Sequence, residues 1–324
     1  MKTADDLFRY VLDHAVKPLP KTPVSEWADT YRMLSSMSAE PGRWRTSRAP
    51  YQKEIMDAFT QPGIHRVVVK SCAQIGKSDI MNNVIGRYAH LDPCAIMMLQ
   101  PTIDMAQDYS KSRVVPMVRD TPVLRDLFSD AKSRDSSNTI LSKLFPGGRL
   151  IMCGANSPSG LASRPIRVLL CDEVDRFPVS AGTEGDPVDL ASKRMTTFWN
   201  YVMGLFSTPT LEGASRIDAE YARGTCEEWQ HRCPNCGGYH KLRVEEMNVD
   251  AEKGAVVNGQ RTYVVKSVKW HCPDCGFEFD EREMKAAPQK YVLHNEMALK
   301  NGIRSFSLNA FSSPWITWPD IMRE

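Results

Sequence analysis

The chain has 324 residues, 42% hydrophobic and 25% charged, which suffices for one large domain or two ordinary ones and excludes a disordered chain, a collagen and a small disulfide scaffold. Lysine plus arginine (41) nearly balance aspartate plus glutamate (39), so the net charge of +2 exerts no general pull on nucleic acid or membrane, and any polyanion site has to be local. No apolar run follows Met1 and no apolar stretch is long enough to cross a bilayer, so the expectation is a soluble, cytosolic protein with no membrane partner.

Residues 1–40 read as a helical lead-in: Leu7, Tyr10, Val11 and His14 fall near helical spacing, and Pro18, Pro20 and Pro23 stop any helix. The basic stretch Gly42-Arg43-Trp44-Arg45-Thr46-Ser47-Arg48 suits either a grip on a phosphate backbone or a solvated loop with one anchoring aromatic. Short, unalternated apolar runs then follow at 67–69, 94–99, 150–153, 168–171 and 201–206, separated by helical stretches. That pattern predicts an α/β fold, a mainly parallel sheet with helices on both faces. Ile80, Met81, Val84, Ile85 and Tyr88 give the first of these helices its core-facing stripe.

The run 67–69 leads into Lys70-Ser71-Cys72-Ala73-Gln74-Ile75-Gly76-Lys77-Ser78, a G-x-x-x-x-G-K-[ST] phosphate loop (P-loop) with Ser71 in place of the first glycine. Serine enters positive φ less readily than glycine, which weakens the bare match. The chemistry nonetheless fits each position. Backbone N–H groups along Ser71, Gln74 and Gly76 surround the phosphates of ATP, Lys77 adds a charge, and the Ser78 hydroxyl ligates Mg²⁺. Downstream, the run 168–171 ends in Asp172-Glu173, where Asp172 can hold the Mg²⁺ shell and Glu173 can orient and deprotonate an attacking water. Gln52, about two dozen residues before the loop, is either an adenine reader or polar surface. Ser207-Thr208-Pro209 ends the run 201–206 and is either a γ-phosphate sensor or a capping turn.

Near residue 225 the composition shifts. Cys233-Pro234-Asn235-Cys236-Gly237 and Cys272-Pro273-Asp274-Cys275-Gly276 are two copies of one turn, C-P-x-C-G, whose spacing lets four thiolates face one tetrahedral Zn²⁺. A redox dithiol is the competing reading, and the duplication argues against it. Valine-rich runs on either side of Asn258-Gly259 predict a β-hairpin filling the long gap between the pairs. His231, His240 and His271 read as flanking residues. The stretch 303–309 reads as one more strand, and Thr317-Trp318-Pro319 as a capped helix start without a body.

Together the deviant loop, the Asp-Glu strand end, the Ser-Thr-Pro strand end and the double C-P-x-C-G resemble the lambda-type branch of the tailed-phage terminase large subunits. The resemblance implies an ATPase of the additional-strand, catalytic-glutamate type that drives double-stranded DNA into a procapsid in the host cytoplasm. It implies a small-subunit partner, a portal partner and a homo-oligomeric ring on that portal. It also implies an RNase H-like endonuclease, whose acidic cluster is expected beyond Glu324. By motif it assigns Lys77, Glu173 and Lys70 to catalysis, Gln52 to adenine and 207–209 to coupling. Lys70 enters because Cys72 and Ala73 stand where many terminases carry an arginine. The expected divisions are a lead-in at 1–40, an ATPase core at 41–225, a zinc-ribbon insertion at 226–290 and a returning strand with a linker at 291–324. A DEAD-like helicase and a non-enzymatic zinc-ribbon DNA-binding module are the alternatives.

Overall fold

A computed structural model describes residues 3, 5, 21–128, 139–157, 160, 165–211, 213–257 and 260–323. Leu7, Tyr10, Val11, His14, Pro18 and Pro20 of the expected lead-in, and the Asn258-Gly259 turn, lie outside the described residues. Strands β1 (Met33–Leu34) and β2 (Gly42–Arg43) form a short antiparallel ladder. There follow β3 (Arg66–Ser71), β4 (Ala95–Gln100), β5 (Ser142–Phe145), β6 (Gly148–Gly154), β7 (Val168–Asp172), β8 (Val202–Ser207), β9 (Glu227–Arg232) and β10 (Tyr239–His240). A separate sheet holds β11 (Met247–Val257), β12 (Gln260–His271) and β13 (Glu278–Asp280). The chain then returns to the first sheet through β14 (Gln289–Val292) and β15 (Ile303–Leu308).

The large sheet runs β10-β9-β15-β3-β8-β7-β4-β6-β5, with β14 also paired to β9. Every neighbouring pair from β9 to β6 is parallel, and β5, β10 and β14 are antiparallel. The five predicted runs all lie on strands of this sheet, and the predicted strand at 303–309 inserts beside β3. Alternation along the strands explains why the runs are apolar throughout: Val67 and Val69 face one core, Val68 the other. The first core includes Trp27, Ile55, Ile80 and Ile85 from helices Val24–Tyr31, Gln52–Ala58 and Lys77–Leu91. The second includes Leu99, Leu169, Leu205 and Ile217, the last from helix Arg216–Arg223.

Strand β9 pairs with β15 and β14, so residues 227–232 and 289–292 belong to the large sheet. Its side chains show why. Trp229 packs edge-on against Tyr51 and Tyr291, and Glu227, 2% exposed, takes an ion pair from Arg304 at 2.5 Å. What stands apart between these strands has a third core of Leu242, Val268, Trp270 and Met284, which Phe311 and Trp318 from beyond β15 also enter.

Candidate nucleotide loop and cysteine centre

Strands β3, β8 and β7 are adjacent and parallel, so their carboxyl ends, Ser71, Ser207 and Asp172, open on one edge of the sheet, where an open α/β sheet binds its ligand. Ser71 is the last residue of β3, with extended backbone and its partner at Leu308, so serine there meets no positive-φ penalty. The left-handed residues are Gln74 (φ 59°) and Gly76 (φ 83°). At Gly76 a Cβ would stand 2.4 Å from Gln52 Nε2. Gly76 also precedes helix Lys77–Leu91, whose start carries no side-chain cap to compete with an anion there, while Asp79 N and Ile80 N donate to Gly76 O.

Lys77 Nζ lies 2.9 Å from Glu173 Oε1 and donates to Thr208 Oγ1 at 2.8 Å, so phosphate loop, acidic strand end and Ser-Thr-Pro strand end converge on one ammonium. Glu173 is held at φ 55°, a conformation costly for a side chain with a Cβ and common at functional sites. Asp172 is buried and accepts from Gln100 Nε2 at 3.1 Å. Burial pushes its carboxyl up to about 6, against the Gln100 hydrogen bond, with Glu173 adding to the rise and Lys77 opposing it.

The four cysteines meet as the spacing predicts. Their sulfur atoms all lie within 4.8 Å of one another, with Cys233 Sγ to Cys275 Sγ at 3.7 Å and Cys236 Sγ to Cys272 Sγ at 3.8 Å. A tetrahedron with Zn–S of about 2.3 Å has edges of about 3.8 Å, so the donor set fits Zn²⁺ with every position filled by thiolate. Each copy of the turn closes in the same way, Gly237 N to Cys233 O and Gly276 N to Cys272 O, both at 3.0 Å. Cys236, His240 and Asp274 form a second close group beside it. His231 is fully buried between Met284 O and Ser312 Oγ and has no place among the ligands.

Residues 38–292 match the family described as phage terminase large subunit gpA, ATPase domain. The chain belongs to that family. It is 26% identical over 303 residues to the terminase large subunit of Enterobacteria phage P21, covering 92% of this chain and 46% of that protein. It is 30% identical over 232 residues to that of Escherichia phage lambda, covering 70% of this chain and 35% of that one. The chain thus spans less than half the length of these two relatives. Among solved structures, the HK97 bacteriophage large terminase gives a TM-score of 0.49 at 13% identity over 63% of this chain and 41% of that one. The Thermus phage P74-26 large terminase ATPase domain gives 0.38 at 12% identity over 78% of each.

Lys70 and Gln52, assigned from the terminase resemblance, make definite contacts. Lys70 Nζ meets Asp218 Oδ1 at 2.6 Å and lies over the Tyr221 ring, so helix Arg216–Arg223 engages it. Gln52 Nε2 donates to the loop carbonyl Ile75 O at 2.9 Å, while the residue lines a cavity of about 540 Å³ with Gln74, Gly76, Trp44 and Trp315. Ser207 Oγ accepts from Asp175 N, and Asp175 carboxylate oxygens accept from Thr210 N and Ile217 N, which ties the ends of β7 and β8 to the next helix. Sequence reasoning missed Gln100, Asp175 and Trp315. Gln100 was signalled faintly, as a polar residue closing the apolar run 95–99. Trp315 had no signal, because its partners are distant in sequence.

Proposed function

We propose that this chain is the ATPase motor portion of a terminase large subunit and hydrolyses ATP to move double-stranded viral DNA into a procapsid. The observation that carries this is the convergence of Lys77, Glu173 and Thr208 at the ends of three adjacent parallel strands, within a chain of this family. In this reading the loop from Ser71 through Gln74 and Gly76 cradles the phosphates, and Gln52 and Trp315 line the side for adenine. Mg²⁺ held by Ser78 and Asp172 would neutralise charge on the β- and γ-phosphates. A γ-phosphate gives Lys77 a stronger partner than Glu173, and the released carboxylate then accepts the proton of the attacking water. Ser207, Thr208 and Pro209 sense that exchange, since Thr208 already touches Lys77. Lys70 acts by holding helix Arg216–Arg223.

We take Zn²⁺ on Cys233, Cys236, Cys272 and Cys275 to be structural, with 233–288 apart from β10 as its module and β9, β10, β14 and β15 in the ATPase core. Small subunit, portal, a ring of copies on the portal, the host cytoplasm and an endonuclease elsewhere in the whole protein follow from the family resemblance. No helix of the described residues is long and apolar enough to cross a membrane. The test is ATP turnover by the purified chain with and without linear duplex DNA. Turnover that rises with duplex and disappears in Glu173→Gln is expected. Binding of ATP with no hydrolysis under either condition would overturn the reading.

A further inference from the structure

Between β15 and the last described residues, the chain lies against both the cysteine module and the phosphate loop. Phe311 and Trp318 are buried in the same core as Cys233, Cys272 and Trp270, with Trp318 Nε1 donating to Phe311 O at 2.9 Å. Helix Glu281–Ala286 of the module grips the intervening backbone: Lys285 Nζ donates to Ser313 O at 2.5 Å and Ile316 O at 3.1 Å, and Glu281 Oε2 accepts from Trp318 N at 2.9 Å. Held at both ends, the segment sends Trp315 toward the loop. The Trp315 ring edge lies 3.6 Å from where a Cβ on Gly76 would stand, and Ser313 Oγ reaches Gln74 O at 3.5 Å. Trp315 Nε1 donates to Glu40 Oε1 at 3.2 Å, and Glu40 pairs with Arg48 at 2.7 Å on the far wall of the cavity.

We infer that residues 311–318 are a strut coupling the cysteine centre to nucleotide binding, with Trp315 closing the base side of the cavity against the nucleotide. This rests on the reading of the loop as an ATP site and of the thiolates as a metal site. The core that fixes Phe311 and Trp318 is organised by the four thiolates, so without metal the strut loses its fixed end and Trp315 its orientation. Coupling of two sites is reciprocal: if metal strengthens nucleotide binding, nucleotide strengthens metal binding by the same factor.

The experiment uses the metal-loaded chain and two readouts other than turnover: calorimetric affinity for MgADP, and zinc release to a colorimetric chelator with and without saturating MgADP. MgADP is expected to slow release by about fivefold or more in wild type. Trp315→Ala should bind MgADP about tenfold more weakly, the scale of one lost aromatic–base stack, and lose the slowing while keeping its zinc. Trp315→Phe should keep most of both. Lys285→Met, which frees the strut without touching the loop, should bind more weakly and release zinc faster. Identical release with and without MgADP in wild type overturns the proposal, as does slowing that survives Trp315→Ala. Wild-type protein that carries no zinc or binds no MgADP fails at the underlying assignments, and the coupling falls with them.

Discussion

Lys77 has two side-chain partners, a carboxylate and a hydroxyl, and the chemistry proposed for it depends on exchanging them for phosphate. Lys77→Ala should therefore abolish nucleotide binding, whereas Glu173→Gln should keep it and slow single-turnover hydrolysis by roughly 10² or more, the scale of a lost general base. A Glu173→Gln chain hydrolysing at the wild-type rate would remove that residue from the mechanism. Asp172 makes a prediction in pH. Its carboxyl is raised to about 6 in the fold, chiefly by burial, so the fold favours the protonated form. The ligand-free protein has this group's full contribution below about pH 4 and loses it as pH rises through about 6. Asp172→Asn should accordingly raise ligand-free stability at pH 7.5 by roughly 2–3 kcal/mol and leave it near wild type at pH 4. Melting temperatures across that range check it, and a difference independent of pH would sink the argument.

Two elements carry predictions of their own. Helix Lys77–Leu91 positions the loop and is braced by Trp27, whose ring would lie 2.2 Å from a Cβ on Gly86. Gly86→Ala overpacks a site with no room to yield and should cost about 1–3 kcal/mol in chemical denaturation despite the better helix propensity of alanine. A neutral or stabilising result would mean that Trp27 is not seated there. The cysteine module should melt separately. Removing its metal should unfold 233–288 and loosen Trp318 while the large sheet, with its two apolar cores, stays folded. Hydrogen exchange after chelation would show protection lost in β11 to β13 and kept in β3, β7 and β8. Elemental analysis finding iron or no metal in the folded protein would contradict the zinc assignment.

At the scale of the molecule, a two-metal nuclease needs several carboxylates around paired ions about 4 Å apart. Among the described residues, the groups of three or more that could hold a metal are the four cysteines and Cys236 with His240 and Asp274. Neither group offers carboxylates for paired ions, so neither should nick supercoiled plasmid with Mg²⁺ or Mn²⁺, read on a gel. Nicking abolished by Asp172→Ala would mean that the strand end is misassigned. The sequence by itself determined the parallel α/β sheet, because strands buried on both faces have to be apolar at every position, as Val67, Val68 and Val69 are. The meeting of the four cysteines was legible for a related reason: each C-P-x-C-G turn is a local chemical pattern whose two donors sit at a fixed short spacing. Tertiary structure alone decided what depends on contacts between distant residues. β9 paired with β15, Lys70 met Asp218, Gln100 met Asp172 from the neighbouring strand, and the strut carried Trp315 to Gly76. No periodicity records such meetings, because each partner's own sequence neighbourhood is satisfied whether or not the other arrives.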